Sequence, residues 1–81
     1  MGQGTIKKPT KLSIKLLSIR NQLGFTQGEL INAVGMESEV SQSQISAFER
    51  GTRIPSLLIL LKYAKLAQIS TDSLLDDEIE L

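Results

Sequence analysis

The sequence contains neither cysteine nor histidine, and the two absences exclude most enzyme chemistry at once. Without thiols there are no disulfides and no thiolate metal sites; without imidazole the usual general base and the commonest metal ligand are gone. A site built of carboxylates alone needs a walled cleft, which a helical chain of 81 residues rarely builds. The residues therefore imply no catalytic group, no metal and no cofactor, and the chain reads as something other than an enzyme. No small-molecule effector is evident either, because one compact domain fills the length and leaves no room for a second, ligand-binding one.

Long apolar runs are also missing. The run Leu57-Leu58-Ile59-Leu60-Leu61 is broken by Lys62 and Lys65, well short of the ~20 residues that a membrane crossing needs, so it reads as a buried helix. The start, Met1 to Thr10, is polar and basic and lacks the apolar core of a secretory leader. Met1-Gly2 does not open a myristoylation signal, since Ile6 stands where Ser or Thr is required. A cytoplasmic location is expected.

Net charge is absent as well, with nine Lys and Arg against nine Asp and Glu. Zero net charge speaks against a nucleic-acid binder, but the distribution does not. Residues 1–65 hold all nine bases against four acids, Glu29, Glu37, Glu39 and Glu49, a net of +5. Residues 66–81 hold five acids, Asp72, Asp76, Asp77, Glu78 and Glu80, and no base. This asymmetry fits a basic face for phosphate with an acidic tail folded elsewhere, and equally a solvated surface without a role.

What the chain does have is helical periodicity, in short blocks separated by turn signals and with no useful β-alternation. Residues 1–10, with paired Lys7-Lys8 and Pro9, read as a flexible basic arm, residues 11–75 as one helical domain, and residues 76–81 as an acidic C-terminal tail. A first helix is expected from about Lys11 to Gln22, with Leu12, Leu16, Ile19 and Leu23 as its inner stripe and Gly24 as its stop. The second starts at Thr26, which forms a capping box with Glu29, and runs to Val34 before Gly35. The third starts at Ser41, boxed with Gln44, turns Ile45 and Phe48 inward, and ends at Gly51. A fourth spans about Ser56 to Ala67, with Leu57, Leu60, Leu61 and Ala64 inward. A short fifth begins at Ser70 or Thr71 and carries Leu74 and Leu75.

Two capped helices in tandem, joined through a Gly turn and followed by the Ile45/Phe48 pair, suggest a helix-turn-helix. Short helical hairpins occur in many folds, so spacing alone leaves the function open. The residues carry more. The string Gly24-Phe25-Thr26-Gln27-Gly28-Glu29-Leu30, then Val40-Ser41-Gln42-Ser43-Gln44-Ile45-Ser46-Ala47-Phe48-Glu49-Arg50-Gly51, then Pro55-Ser56-Leu57, closely resembles the phage-repressor/Cro, or xenobiotic-response-element, family. The likeness covers about residues 12–75. It implies an all-α, five-helix, lambda-repressor-like domain that binds double-stranded DNA, usually as a homodimer, with the third helix in the major groove.

The resemblance also implies roles. Gln27 matches a family Gln that contacts a phosphate and buttresses the recognition helix. Gln42 matches the first recognition-helix residue, and a Gln amide suits adenine because it can donate to N7 while accepting from the N6 amino group. Ser43, Gln44 and Ser46 are the further candidates for base edges, with Ala47 beside them for a thymine methyl. Ser41 stands both as a phosphate contact and as a structural cap, and Gln44 both as a reader and as the closing member of its box. Arg20 and Glu49 match a family ion pair that fixes the recognition helix against helix one. Arg50, Thr52 and Arg53 match positions that touch phosphates, although cations at a helix C-terminus are also favourable in themselves. Lys7, Lys8 and Lys11 on the arm either reach the DNA or form a basic terminus without a role.

Two features depart from the family. Met36-Glu37-Ser38-Glu39-Val40 lengthen the turn by about four residues and bring Glu37 and Glu39 close to where phosphates should lie. Ile31 stands where the family prefers a small residue, which suggests a wider spacing between helices two and three. Dimer contacts are expected around Leu74 and Leu75, and the tail with Ile79 and Leu81 either adds a strand to a partner or frays. The expected function is a dimeric transcriptional regulator reading a pseudo-palindromic operator. The alternative is a protein-interaction module, an antitoxin or adaptor, on the same scaffold.

Overall fold

The computed structural model describes residues 11–81, so the arm with Lys7 and Lys8 lies outside the described residues. Five helices follow one another: α1 Leu12–Leu23, α2 Gln27–Ala33, α3 Gln42–Arg50, α4 Leu57–Ala67 and α5 Thr71–Leu75. Among the described residues there is no strand, and no helix is long and apolar enough to cross a membrane. The architecture is an all-α, lambda-repressor-like domain.

Helix α1 runs through the middle, packing on α3, α4 and α5, while α2 packs on α3 and α4 on α5. Its core stripe is Leu12, Leu16 and Ile19; Leu23, expected to continue the stripe, is 38% exposed because the helix has passed the edge of the core there. Leu30 and Ile31 of α2, Ile45 and Phe48 of α3, and Leu74 of α5 close the same cluster. Leu74 is fully buried by its own chain, so it cannot supply the dimer contact expected of it.

Helix α4 is rotated from the expected stripe. Ile59, Leu60, Tyr63 and Ala64 face inward, whereas Leu57 and Leu58 are 71% and 67% exposed and Leu61 lies on the flank. Five consecutive aliphatics carry no periodicity of their own, so the large ring of Tyr63 chooses the face. The two displaced leucines, Leu57 and Leu61, are exposed with their neighbours Ile54 and Leu58.

Helix α5 has only five residues, too few to persist unaided. Lys15 of α1, buried among apolar residues, donates from Nζ to the carbonyls of Ser73 and Asp76, both at 2.7 Å. An ammonium group thus satisfies carbonyls that the end of α5 leaves open. The Lys11 amide donates to Asp77 Oδ1 at 3.1 Å, which further ties the tail to the start of α1.

Candidate nucleic-acid interface

Both capping boxes form. The Glu29 amide donates to Thr26 Oγ1 at 3.1 Å, and the Thr26 amide donates back to Glu29 Oε1 at 2.8 Å. At α3 the Gln44 amide donates to Ser41 Oγ at 3.4 Å, and the Ser41 amide to Gln44 Oε1 at 2.9 Å. The first turn of α3 is therefore fixed, with Gln42 and Ser43 exposed on it.

The box gives Gln44 a structural role. Its carboxamide oxygen accepts from the Ser41 amide, while its second lone pair and its Nε2 donors are left for other partners. Ser41 is likewise a cap, its hydroxyl also bonded to Ser43 Oγ at 3.0 Å. Ser46 accepts from Arg50 one turn on. Ala47 is 7% exposed and faces the core, which removes it as a partner for a thymine methyl.

Beyond α3, Gly51 takes φ +80°, a left-handed conformation that lets the chain turn back on the helix end. The Thr52 amide at 3.0 Å and hydroxyl at 3.2 Å both donate to the Ala47 carbonyl. Both donors of the exposed Thr52 are thus used within the chain. Arg50 and Arg53 are exposed.

Behind this surface lies a polar lock between three helices. Arg20 donates from Nε to Glu49 Oε2 at 2.6 Å and from Nη2 to Oε1 at 3.0 Å, and its Nη1 reaches the Phe25 carbonyl at 2.9 Å. Gln27 Nε2 adds a third donor to Glu49 at 3.2 Å. The side chains of Arg20 and Glu49 are 17% and 6% exposed. Hydrogen bonding to Glu49 holds the Arg20 pKa above its ordinary value, against the opposing cost of burial. The pair orients α3 on α1, and Gln27 brings α2 into register with them.

The family model described as helix-turn-helix matches residues 16–74. The chain belongs to the helix-turn-helix family. Among solved structures, this helix-turn-helix protein is similar to the P22 c2 repressor in complex with synthetic operator 9T. The two are 31% identical with a TM-score of 0.70, over 83% of this chain and 96% of that one. It is also similar to HipB in complex with an O2 20mer, at 29% identity and a TM-score of 0.57, over 85% and 90% of the two chains. No curated protein sequence matches it.

Within the helix-turn-helix, the long turn is built into the core. Gly35 at φ +68° ends α2, its amide bonding the Asn32 carbonyl while the Met36 amide bonds that of Ile31 at 3.0 Å. That Schellman motif tucks Met36 inward, where it is fully buried, and Val40 follows at 7% exposure. Ile31 is buried with them, so the large residue in α2 and the inserted segment fill the same space. Glu39 pairs with Lys62 of α4, which turns one of the two insertion carboxylates toward the protein's own base. A position with no signal in the sequence is Gly28, against which the Gln42 carboxamide rests.

Proposed function

We propose that this protein is a cytoplasmic transcriptional regulator that binds double-stranded DNA sequence-specifically as a homodimer, with α3 in the major groove, and acts by binding rather than by catalysis. The observation that carries the reading is α3 itself. Its first turn exposes Gln42 and Ser43, and its far end is held by the Arg20–Glu49–Gln27 lock. The likeness extends across nearly the whole of a repressor solved on a synthetic operator. In this reading Gln42 is the principal base reader, Ser43 and Ser46 line the groove face, and Gln27, Arg50 and Arg53 contact phosphates.

A second copy covers Ile54, Leu57, Leu58 and Leu61. Ile54 follows directly on Arg53 and the three leucines lie on α4, all four exposed, and a two-fold axis through them buries the same residues of each subunit. Two recognition helices then meet half-sites about one helical turn apart, ~34–36 Å. The reading as an antitoxin or adaptor drew on the acidic insertion and tail. Glu39 is paired with Lys62, and Asp77 accepts from the Lys11 amide, so one acid of the insertion and one of the tail are engaged within the fold.

Selection from a random duplex library at about 150 mM salt, where nonspecific phosphate binding is weakened, tests the proposal. An enriched inverted repeat with discrete base preferences is expected. No enrichment by protein shown to be folded overturns it in favour of the protein-interaction module.

A further inference from the structure

Gly28 lies in the first turn of α2, a place where the backbone does not ask for glycine. Among the described residues the positive-φ glycines are Gly24, Gly35 and Gly51, and Gly28 is not one of them. Glycine is also a poor helix former, so its presence here works against α2. A Cβ built at residue 28 meets one side chain alone, with Nε2 of Gln42 at 2.8 Å and its Cδ at 3.9 Å. The missing methyl therefore has one structural consequence, which is the space occupied by the Gln42 carboxamide.

We propose that Gly28 is a positioning residue for DNA reading: its bare backbone is the seat of the Gln42 carboxamide and sets where that amide meets the base edge. The inference rests on the proposed function. A methyl at residue 28 must move the amide from 2.8 Å to at least about 3.4 Å, the onset of ordinary contact. That displacement is as large as the whole 2.7–3.2 Å range of an N–H···O hydrogen bond, so a bidentate pair does not survive it unchanged. Because the displaced atoms end a flexible, exposed side chain, the fold offers little resistance. Gly28→Ala thus redirects reading while leaving the domain intact, and the better helix former holds or raises its melting temperature.

The experiment repeats the duplex selection with the native protein, Gly28→Ala, Gln42→Ala and the double variant, with a thermal melt of each. The native protein is expected to prefer one base pair at Gln42's position by roughly 5- to 150-fold, the discrimination of a good bidentate contact. Gly28→Ala changes the preference at that same position and nowhere else, and the double variant matches Gln42→Ala. An unchanged operator for Gly28→Ala, a uniform weakening on all sequences, an effect that adds to that of Gln42→Ala, or a melt well below the native one overturns the inference. A native protein that selects no operator removes the functional reading, and this inference with it, before any substitution is compared.

Discussion

Replacing Arg20 by Met keeps most of the side chain's volume and removes its charge and donors. Glu49, whose side chain is 6% exposed, then keeps one of its three donors, Gln27 Nε2 at 3.2 Å, and the Phe25 carbonyl loses its bond as well. Breaking one partner of a buried pair costs about 3–5 kcal/mol. Because the Arg20 side chain is 17% exposed and water can partly replace it, the lower end applies, about 3 kcal/mol. For a domain of this size that is a melting temperature lower by roughly 12–24 °C. The companion Arg20→Met/Glu49→Leu removes both charges, and replacing a buried pair by apolar groups of similar volume is often nearly neutral. The two changes together should therefore recover most of the loss, giving a coupling energy of about 2 kcal/mol or more. Urea denaturation followed by helical circular dichroism measures all four corners of the cycle. A loss under about 1 kcal/mol for Arg20→Met, or purely additive effects, would refute the claim that this pair locks α3 to α1.

Tyr63 is the one tyrosine of the chain, fully buried, and its hydroxyl has no partner among the described residues. Burial, aided by Glu49, pushes its pKa well above the ordinary 10.0. The unfolded phenol ionises first, so this contribution is intact below pH 10 and stability falls by about 1.4 kcal/mol per unit as pH rises above it. Absorbance titration follows this single phenol; Tyr63→Phe should lose that alkaline component and be at least as stable at neutral pH, whereas an ordinary titration near 10 in folded protein contradicts the burial argument. Gln68 holds a left-handed conformation at the end of α4, φ +59°, so Gln68→Gly should raise stability by about 0.5–1 kcal/mol in the same denaturation assay, and a loss there would contradict the strain. Met36→Ala empties a fully buried site in the inserted turn and should cost about 2–5 kcal/mol; a loss under about 0.5 kcal/mol, within the scatter of surface changes, means the insertion is not part of the core.

Legibility in the sequence followed how local the chemistry was. Thr26 with Glu29 and Ser41 with Gln44 are boxes whose members lie three residues apart, so the starts of α2 and α3 could be read directly. The pairing of Arg20 with Glu49 spans 29 residues and was visible through family resemblance alone. The inner face of α4 is not legible, because Leu57 to Leu61 offer no polar residue to mark the solvent side. The burial of Leu74 is not legible either, because it depends on α1 and α4 meeting α5 in space. Glu39 looked like a charge set against phosphate because Lys62 is 23 residues away. Gly28 gave no signal, since what matters there is the absence of an atom beneath a side chain of another helix.

In the proposed complex α3 reads bases through Gln42 while Arg53 only holds the backbone. This division is tested most directly by titrating Gln42→Ala and Arg53→Ala against the selected operator and its single base-pair variants at several salt concentrations. Gln42→Ala should lose about 1–3 kcal/mol of discrimination at one position in each half-site. Arg53→Ala should weaken every sequence alike and reduce the salt slope by about 1 for each subunit. Equal weakening of all sequences by Gln42→Ala, with its base preferences intact, would contradict base reading by Gln42.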